Sequence, residues 1–119
     1  MKLEGVHHVS LNVEDVETAR RFYVEVLGLE EIPRPPFPFP GAWLRSGGQE
    51  IHLIAEANHR APEGQHFAFR VADLGAAAAE LAALGVKVGG PIDVPGAGRQ
   101  AFLRDPSGNL IELNEPKPV

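Results

Sequence analysis

The chain has 119 residues, of which 44% are hydrophobic and 23% charged, and its formal net charge at pH 7 is −5. This length is typical of one compact domain, and an acidic chain without a basic run has no electrostatic footprint for nucleic acid. The absence of cysteine excludes disulfides, thiolate ligands and cysteine catalysis, and no apolar stretch approaches the roughly 20 residues of a membrane helix.

The first half of the chain reads as a strand, a helix and three further strands. Residues 6–13 alternate between apolar and polar side chains, which predicts a strand with His8 on its polar face. Apolar residues recur at three- and four-residue spacing over residues 16–27, which predicts an amphipathic helix with Asp15 as its N-cap and Gly28 after its end. The further strands are predicted at residues 29–32, 42–45 and 49–54.

A proline-rich segment lies between the second and third of these strands. Five prolines occur between residues 33 and 40, too many missing N–H donors for a central strand, so a loop or an edge is predicted. A polyproline ligand for another protein is the alternative, but a compact domain favours a rigid connector. Phe37 and Phe39 could form a lid over a pocket, whereas Trp43 and Tyr23 are interpreted as packing residues.

The second half repeats the same order of elements. A strand that begins at His66 is followed by a helix over residues 74–84 with Asp73 as its N-cap and Gly85 at its end. A strand should begin within residues 86–88, and two paired strands are predicted at 99–104 and 109–114 across the turn sequence DPSG. We therefore expect a single domain over residues 1–119, with module one at 4–57, a linker at 58–63 and module two at 64–116.

The two halves place comparable polar residues at comparable positions. His66 follows His8 by 58 residues, and Glu112 follows His52 by 60, so each half has a histidine on its opening strand and a second donor on its closing strand. If the two sheets curve towards each other, these four side chains converge, and burying them without a cation would be costly. Three imidazoles and one carboxylate suit Zn²⁺, Ni²⁺, Fe²⁺, Co²⁺ or Mn²⁺, and the donor set does not choose among them.

Other polar residues are interpreted as lying outside this site. Arg99 and Arg104 could clamp a substrate carboxylate or phosphate, but arginines on the surface of a hairpin are the favoured interpretation. Strand alternation places His7 opposite to His8, and His59 lies in the linker, so neither is expected to bind the metal.

Three segments carry a family resemblance. The sequences HHVSLNVEDVETARRFYVEVLGLE, FAFRVADL and FLRDPSGNLIEL resemble the vicinal oxygen chelate superfamily over practically the whole chain. That group includes glyoxalase I, fosfomycin-modifying enzymes, extradiol dioxygenases and bleomycin-sequestering proteins. The resemblance implies an α+β fold of two tandem β-α-β-β-β modules that form a curved-sheet cup around one divalent metal ion per site. The implied ligands are His8, His52, His66 and Glu112.

The resemblance also implies a reaction type. A glyoxalase-like lyase or isomerase binds a small substrate through two neighbouring oxygens and stabilises an enediolate or oxyanion. Glu112 is then the ligand that could loosen and accept a proton, and His52 is either a ligand or a neighbouring acid or base. His52 stands where bacterial glyoxalase I usually has glutamate, and Asn12 stands where it has an arginine that helps hold glutathione. These departures weigh against glutathione as part of the substrate.

Alternative functions follow from the same resemblance. After the glyoxalase-like enzyme, the second candidate function is that of a metal-free protein that sequesters small molecules, as in the bleomycin-resistance group. Metal-binding side chains at all four positions favour the enzyme. The third is a fosfomycin-type thiol transferase or an extradiol dioxygenase. Ser10 lies where the transferases carry a threonine, and the dioxygenases share the pattern of His8, His66 and Glu112.

The expected partners are a small-molecule substrate and a second copy of the chain, with no nucleic acid and no membrane. The opening residues MKLEGV lack the charged and apolar regions of a signal peptide, so a cytoplasmic location is expected. A homodimer is implied because the family commonly completes its cup by pairing modules. In the exchanged arrangement, His8 and His52 come from one protomer and His66 and Glu112 from its partner.

Overall fold

Two β-α-β-β-β units, Met1–Arg60 and Ala61–Val119, make up the computed structural model, which describes residues 1–117. Each unit contains one four-stranded mixed sheet and one main helix. The α+β class and the two tandem modules predicted from the sequence are confirmed. None of the helices in the described part of the chain has the length and apolar character needed to span a bilayer.

The first unit has its opening and closing strands side by side. The sheet order is β1-β4-β3-β2, in which β1 runs parallel to β4 while the other neighbours are antiparallel. Because a parallel pair needs a crossover connection, the helix crosses one face of the sheet. The elements are β1 (His8–Val13), α1 (Val16–Arg21), β2 (Glu30–Ile32), β3 (Gly41–Ser46) and β4 (Gln49–Ala55).

Helix α1 begins where the sequence predicts and ends differently. The Asp15 carboxylate accepts a hydrogen bond from the Thr18 backbone N–H at 3.2 Å, which confirms the N-cap. The helix then continues as a π-helical turn over Phe22–Val26, closed by the Leu27 N–H donating to the Phe22 carbonyl at 3.0 Å. A regular α-helix to residue 27 was therefore wrong for the last turn. Apolar spacing cannot distinguish i−4 from i−5 hydrogen bonding over so few residues.

Alternation along the strands divides the first sheet into an apolar and a polar face. The apolar face packs under α1, and the Tyr23 side chain of the π-helical extension is fully buried. The residues that form this core are Val13, Ala19, Tyr23, Ala42, Leu44, Ile51 and Leu53. By the same period of two, the opposite face carries His8, Trp43 and His52.

The second unit repeats this topology. Its sheet order is β5-β8-β7-β6, with β5 parallel to β8, and the Asp73 carboxylate caps the helix by accepting from the Ala76 N–H at 3.0 Å. The buried core comprises Leu74, Leu81, Ala101, Leu103, Ile111 and Leu113. The elements are β5 (His66–Arg70), α2 (Leu74–Ala83), β6 (Gly89–Val94), β7 (Gly98–Arg104) and β8 (Leu110–Glu115).

The strand expected to begin at residues 86–88 begins at Gly89 instead. The Val86 N–H donates to the Leu81 carbonyl at 3.0 Å, so this stretch still completes the hydrogen bonding at the end of α2. A short apolar run after a helix does not reveal whether it pairs with a strand or closes the helix.

A buried aspartate organises the turn between β7 and β8. The Asp105 side chain is only 4% exposed, and its carboxylate accepts hydrogen bonds from the Ser107 N–H at 2.8 Å, the Asn109 N–H at 2.9 Å and the Asn109 side-chain amide at 2.9 Å. Gly108 supplies the positive φ of +84° that the turn requires. This network fixes the start of β8, the strand that carries Glu112.

Replacing Asp105 by alanine should therefore destabilise the protein by about 2–3 kcal/mol, because buried N–H donors lose a charged acceptor. Urea unfolding monitored by circular dichroism measures this loss. Asp105→Asn is the matched control, since its carbonyl oxygen can still accept from the two backbone N–H groups, and it should cost less than half as much. Equal losses for both variants would contradict the role assigned to the carboxylate network.

Candidate functional site

The two predicted donors of the first unit lie next to each other on its polar face. In the parallel pairing of β1 with β4, Ser10 stands opposite His52, and His8 stands opposite Glu50. The imidazoles of His8 and His52 stack with their centroids 4.1 Å apart and their planes inclined by 16°. His52 is buried, with 7% exposure, whereas His8 is exposed. The strand pairing thus brings both side chains together.

His52 is enclosed on both faces. Trp43 stacks on it at 4.2 Å with an interplanar angle of 4°. Strand β4 lies between β1 and β3, so His8 and Trp43 cover opposite faces of the His52 ring. The His52 ring is therefore held in one orientation, and only the edge that carries its two nitrogens can contact other groups.

A carboxylate that the sequence analysis missed selects the tautomer of His52. The Nε2 atom of His52 lies 2.9 Å from Glu50 Oε1, and because a carboxylate can only accept, Nε2–H donates and Nδ1 keeps its lone pair. The hydrogen bond from His52 is the main cause that lowers the pKa of Glu50 from its ordinary value of 4.5. Glu50 precedes His52 by two residues, so strand periodicity could have placed both on one face.

His8 has a neighbour that alternation did not predict. The His7 ring meets it edge-on, with centroids 5.2 Å apart and the two Nδ1 atoms at 3.0 Å. His7 precedes β1, so the alternation of the strand does not govern its direction. When His8 Nδ1–H donates this hydrogen bond to His7 Nδ1, the Nε2 atom of His8 keeps its lone pair and is the metal-competent donor.

The second unit brings His66 and Glu112 together at its own parallel strand pair. The Nδ1 atom of His66 lies 2.9 Å from the Gly64 carbonyl oxygen, and Nε2 lies 3.1 Å from Glu112 Oε1. Glu112 is buried, with 7% exposure, and its other oxygen accepts a hydrogen bond from the Asn114 side-chain amide at 2.9 Å. Gly64 and Asn114 are both partners that the sequence analysis did not single out.

The hydrogen bonding of this pair fits a divalent cation. The Gly64 carbonyl can only accept, so Nδ1 carries a proton, and in neutral His66 the Nε2 lone pair then faces the lone pairs of Glu112. A second proton or a cation must offset that repulsion. Two ligands at roughly 2.0–2.2 Å from one ion lie roughly 3–3.5 Å apart at octahedral or tetrahedral angles, which matches the observed 3.1 Å. Donation from the remaining ring N–H to a backbone carbonyl is also the usual arrangement of a metal-ligating histidine.

The donors come as one pair in each unit. Across residues 1–117, no group of three or more histidine, cysteine, aspartate or glutamate side chains lies close enough together to hold a metal ion. Coordination of one ion by all four residues therefore stays a prediction.

The two arginines kept outside the predicted site both have partners in the second unit. Arg99 pairs with Asp93 at 3.0 Å, and the Nη1 atom of Arg104 donates to the Gly108 carbonyl at 2.9 Å. These contacts stabilise the β6–β7 hairpin and the β7–β8 turn. They agree with the interpretation of both residues as structural groups of a hairpin.

Duplicated β-α-β-β-β units with donors on the opening and closing strands define a class of two-module α+β proteins. The chain belongs to that family, the Glyoxalase/Bleomycin resistance protein/Dioxygenase superfamily, whose sequence pattern matches residues 5–113.

Three chains from three organisms are similar to this one in both sequence and fold. A Bacillus anthracis protein described as a glyoxalase family member is 34% identical, with 98% of each chain covered and a TM-score of 0.86. TnmS3, an antibiotic binding protein from Streptomyces sp. CB03234, is also 34% identical, with 98% of this chain and 99% of that chain covered and a TM-score of 0.82. Virulence protein STM3117 of Salmonella typhimurium is 28% identical over 124 residues, which covers 97% of this chain and 86% of that protein.

Replacing His52 by phenylalanine should raise the pKa of Glu50 towards 4.5, because phenylalanine keeps the stack on Trp43 but cannot donate a hydrogen bond. A ¹³C NMR titration of the Glu50 side-chain carboxyl measures the shift. The lowered pKa contributes stability that is present above pH 4.5 and is lost as the pH falls through the folded value. Trp43→Phe retains His52 and serves as the control. An unchanged Glu50 pKa in His52→Phe would contradict the assigned hydrogen bond.

Proposed function

We propose that this protein is a divalent-metal-dependent enzyme of the glyoxalase type, a lyase or isomerase that binds a small substrate through two neighbouring oxygens. The observation that carries the proposal is the arrangement of His66, whose Nδ1–H is held by Gly64 while its Nε2 lies 3.1 Å from Glu112. The ligands would be His8, His52, His66 and Glu112, and the ion Zn²⁺, Ni²⁺, Fe²⁺, Co²⁺ or Mn²⁺. A cytoplasmic location is part of this proposal.

A bound cation would supply Lewis acidity that polarises the substrate oxygens. The protein itself provides the proton acceptor. Glu112 is buried and held at Oε2 by Asn114, so its Oε1 atom, once loosened from the cation, would accept a substrate proton while the side chain keeps its orientation. Gly64 holds the neighbouring imidazole of His66 in one orientation.

On the first unit, Glu50 and Trp43 restrict His52 to one orientation and one tautomer. The metal-competent atom of His52 is thus Nδ1. If His52 stays outside the coordination sphere, the same Nδ1 lone pair can act as a base towards the substrate. As a metal ligand or as a base, His52 would use its Nδ1 atom, and both roles depend on the hydrogen bond from its Nε2–H to Glu50.

A metal-free binding protein is the second candidate, and one observation favours it. Both faces of the His52 imidazole are covered by rings, and its Nε2–H donates a hydrogen bond to Glu50. This environment resembles a packed aromatic surface more than an open metal ligand. The similarity to the antibiotic binding protein TnmS3 points in the same direction. Metal analysis of protein purified without chelator or affinity-tag nickel separates the two candidates.

Adding one of the five metals to chelator-treated protein should raise its melting temperature, because the ion binds the folded state preferentially. At about 100 times the dissociation constant, the gain in unfolding free energy is about 2.7 kcal/mol. His66→Ala and Glu112→Ala should abolish the shift, and Asn114→Ala should weaken metal affinity by about 10–100-fold through loss of the hydrogen bond to Glu112. His59→Ala is the control for metal binding by a histidine outside the pairs. No thermal shift with any of the five metals would refute the proposal.

The proposed site also needs both pairs of donors. Each unit provides two, so the missing pair must come from the other module of a single domain or from a second protomer of a homodimer. We favour the homodimer with two sites, each combining His8 and His52 of one protomer with the second pair of its partner.

Mixing inactive His8→Ala protein with inactive Glu112→Ala protein distinguishes the two arrangements. After subunit exchange, a shared site regains one complete donor set per heterodimer, whereas a site within one chain regains none. Isothermal titration calorimetry with the metal measures the recovery. Heterodimers that form but do not recover metal binding would reject the shared site.

A further inference from the structure

A pocket of about 390 Å³ lies at one end of the second sheet, where the β6–β7 hairpin meets the chain that follows β8. Its volume falls within the range of roughly 300–1,000 Å³ that is usual for small-molecule sites. The walls are largely apolar, with Val94 and Pro95 on the hairpin side and Pro116 on the other side. We call this cavity the hairpin pocket.

The hairpin pocket and the candidate metal ligands lie on opposite faces of the second sheet. Arg99 lines the pocket and stands opposite Glu115 in the pairing of β7 with β8. By the period of two, Arg99 shares its side of β7 with the buried Leu103. The Glu115 carboxylate accepts a hydrogen bond from the Leu74 N–H at 2.8 Å, which places it on the side of α2. Glu112 precedes Glu115 by three residues and therefore faces the other side.

Two chain segments come close together to form the hairpin pocket. Gly98 has a φ of +91°, and a Cβ atom on it would lie 2.8 Å from the Lys117 backbone nitrogen and would also collide with the Glu115 carbonyl. The chain after β8 therefore passes close to the start of β7 and forms one wall. The Ala97 N–H donates to the Val94 carbonyl at 2.9 Å, which closes the turn that forms the other wall.

Both carboxylates at the hairpin pocket already have partners. Asp93 Oδ1 accepts a hydrogen bond from Arg99 Nε at 3.0 Å. Glu115 Oε1 is held by the first N–H of α2, where the positive end of the helix dipole offsets its charge. Each negative charge is thus partly compensated within the protein.

The two cations at the hairpin pocket retain unused donors. Arg99 is bound through Nε alone, and within the described part of the chain its Nη1 and Nη2 atoms make no hydrogen bond. The Lys117 ammonium group likewise has no hydrogen bond or ion pair there. Guanidinium and ammonium groups form their strongest hydrogen bonds with carboxylates and similar anions. The pocket therefore combines apolar walls with donors that suit an anion.

We propose that the hairpin pocket is a second binding site, which takes a small carboxylate with an apolar body. The apolar body packs against Val94, Pro95 and Pro116, and the carboxylate accepts hydrogen bonds from the Nη atoms of Arg99 and from the Lys117 ammonium. The site does not depend on the proposed metal chemistry, because its residues face away from Glu112.

The test uses 4-(trifluoromethyl)benzoate, whose ¹⁹F signal shifts and broadens on binding, with 4-(trifluoromethyl)benzamide as its neutral match. The protein is treated with chelator, so the carboxylate cannot bind a metal ion. We expect saturable binding of the benzoate, about tenfold tighter than that of the amide. In ¹H–¹⁵N spectra, the backbone signals of Val94, Gly98 and Lys117 should shift.

Four variants locate the binding. Lys117→Gln should weaken binding of the benzoate about fivefold, the effect of one partly exposed charge pair, and Val94→Phe should abolish it by filling the cavity without a change of charge. Lys87→Gln removes the same charge from an exposed lysine outside the pocket and should bind like the original protein. His66→Ala should also bind like the original protein. Circular dichroism and melting temperature confirm that each variant folds.

Several results would overturn the proposal. One is the absence of saturable binding, and another is equal affinity for the benzoate and the amide. Unchanged affinity in Lys117→Gln, or loss of binding in His66→Ala, would place the carboxylate elsewhere. Tighter binding of 4-(trifluoromethyl)benzylamine would assign the pocket to a cation held by Asp93 and Glu115, which is also incompatible with the proposal.

Discussion

The parallel pairing of the first and last strands of each unit is the constraint on which the candidate site depends. It places β1 beside β4 and β5 beside β8, so residues far apart in sequence become neighbours on one face. The crossover helix that a parallel pair requires covers the other face and buries its apolar residues. Donors on the opening and closing strands are then held by backbone hydrogen bonds rather than by flexible loops.

The two units arrange their pairs of donor side chains differently. In the second unit, the His66 imidazole lies 3.1 Å from the Glu112 carboxylate, and backbone and amide partners fix both groups. In the first unit, the imidazoles of His8 and His52 lie face to face, and the ring contacts continue through Trp43 to Phe37.

Sequence patterns were sufficient for the features that depend on periodicity and local chemistry. The repeat, the caps at Asp15 and Asp73 and the pairing of His66 with Glu112 follow from spacing and residue type. The contacts that decide chemistry were not accessible in this way. The sequence does not show which imidazole nitrogen forms a hydrogen bond with a carboxylate or a carbonyl. The roles of Glu50 and Gly64 as hydrogen-bond partners of His52 and His66 were therefore missed. The π-helical turn was missed because it shares its apolar spacing with an ordinary helix.

The central claim is that one ion is held by donors from both pairs. X-ray absorption spectroscopy at the zinc edge of protein loaded with one equivalent of Zn²⁺ tests it most directly, because imidazole rings give a countable back-scattering pattern. Coordination by His8, His52, His66 and Glu112 predicts three imidazoles and at least one oxygen ligand at roughly 2.0–2.2 Å. A single imidazole would instead place the ion at His66 and Glu112 alone and would contradict the claim. Two imidazoles in the original protein that both remain in the spectrum of His66→Ala protein would place the ion at the first pair and would contradict it as well.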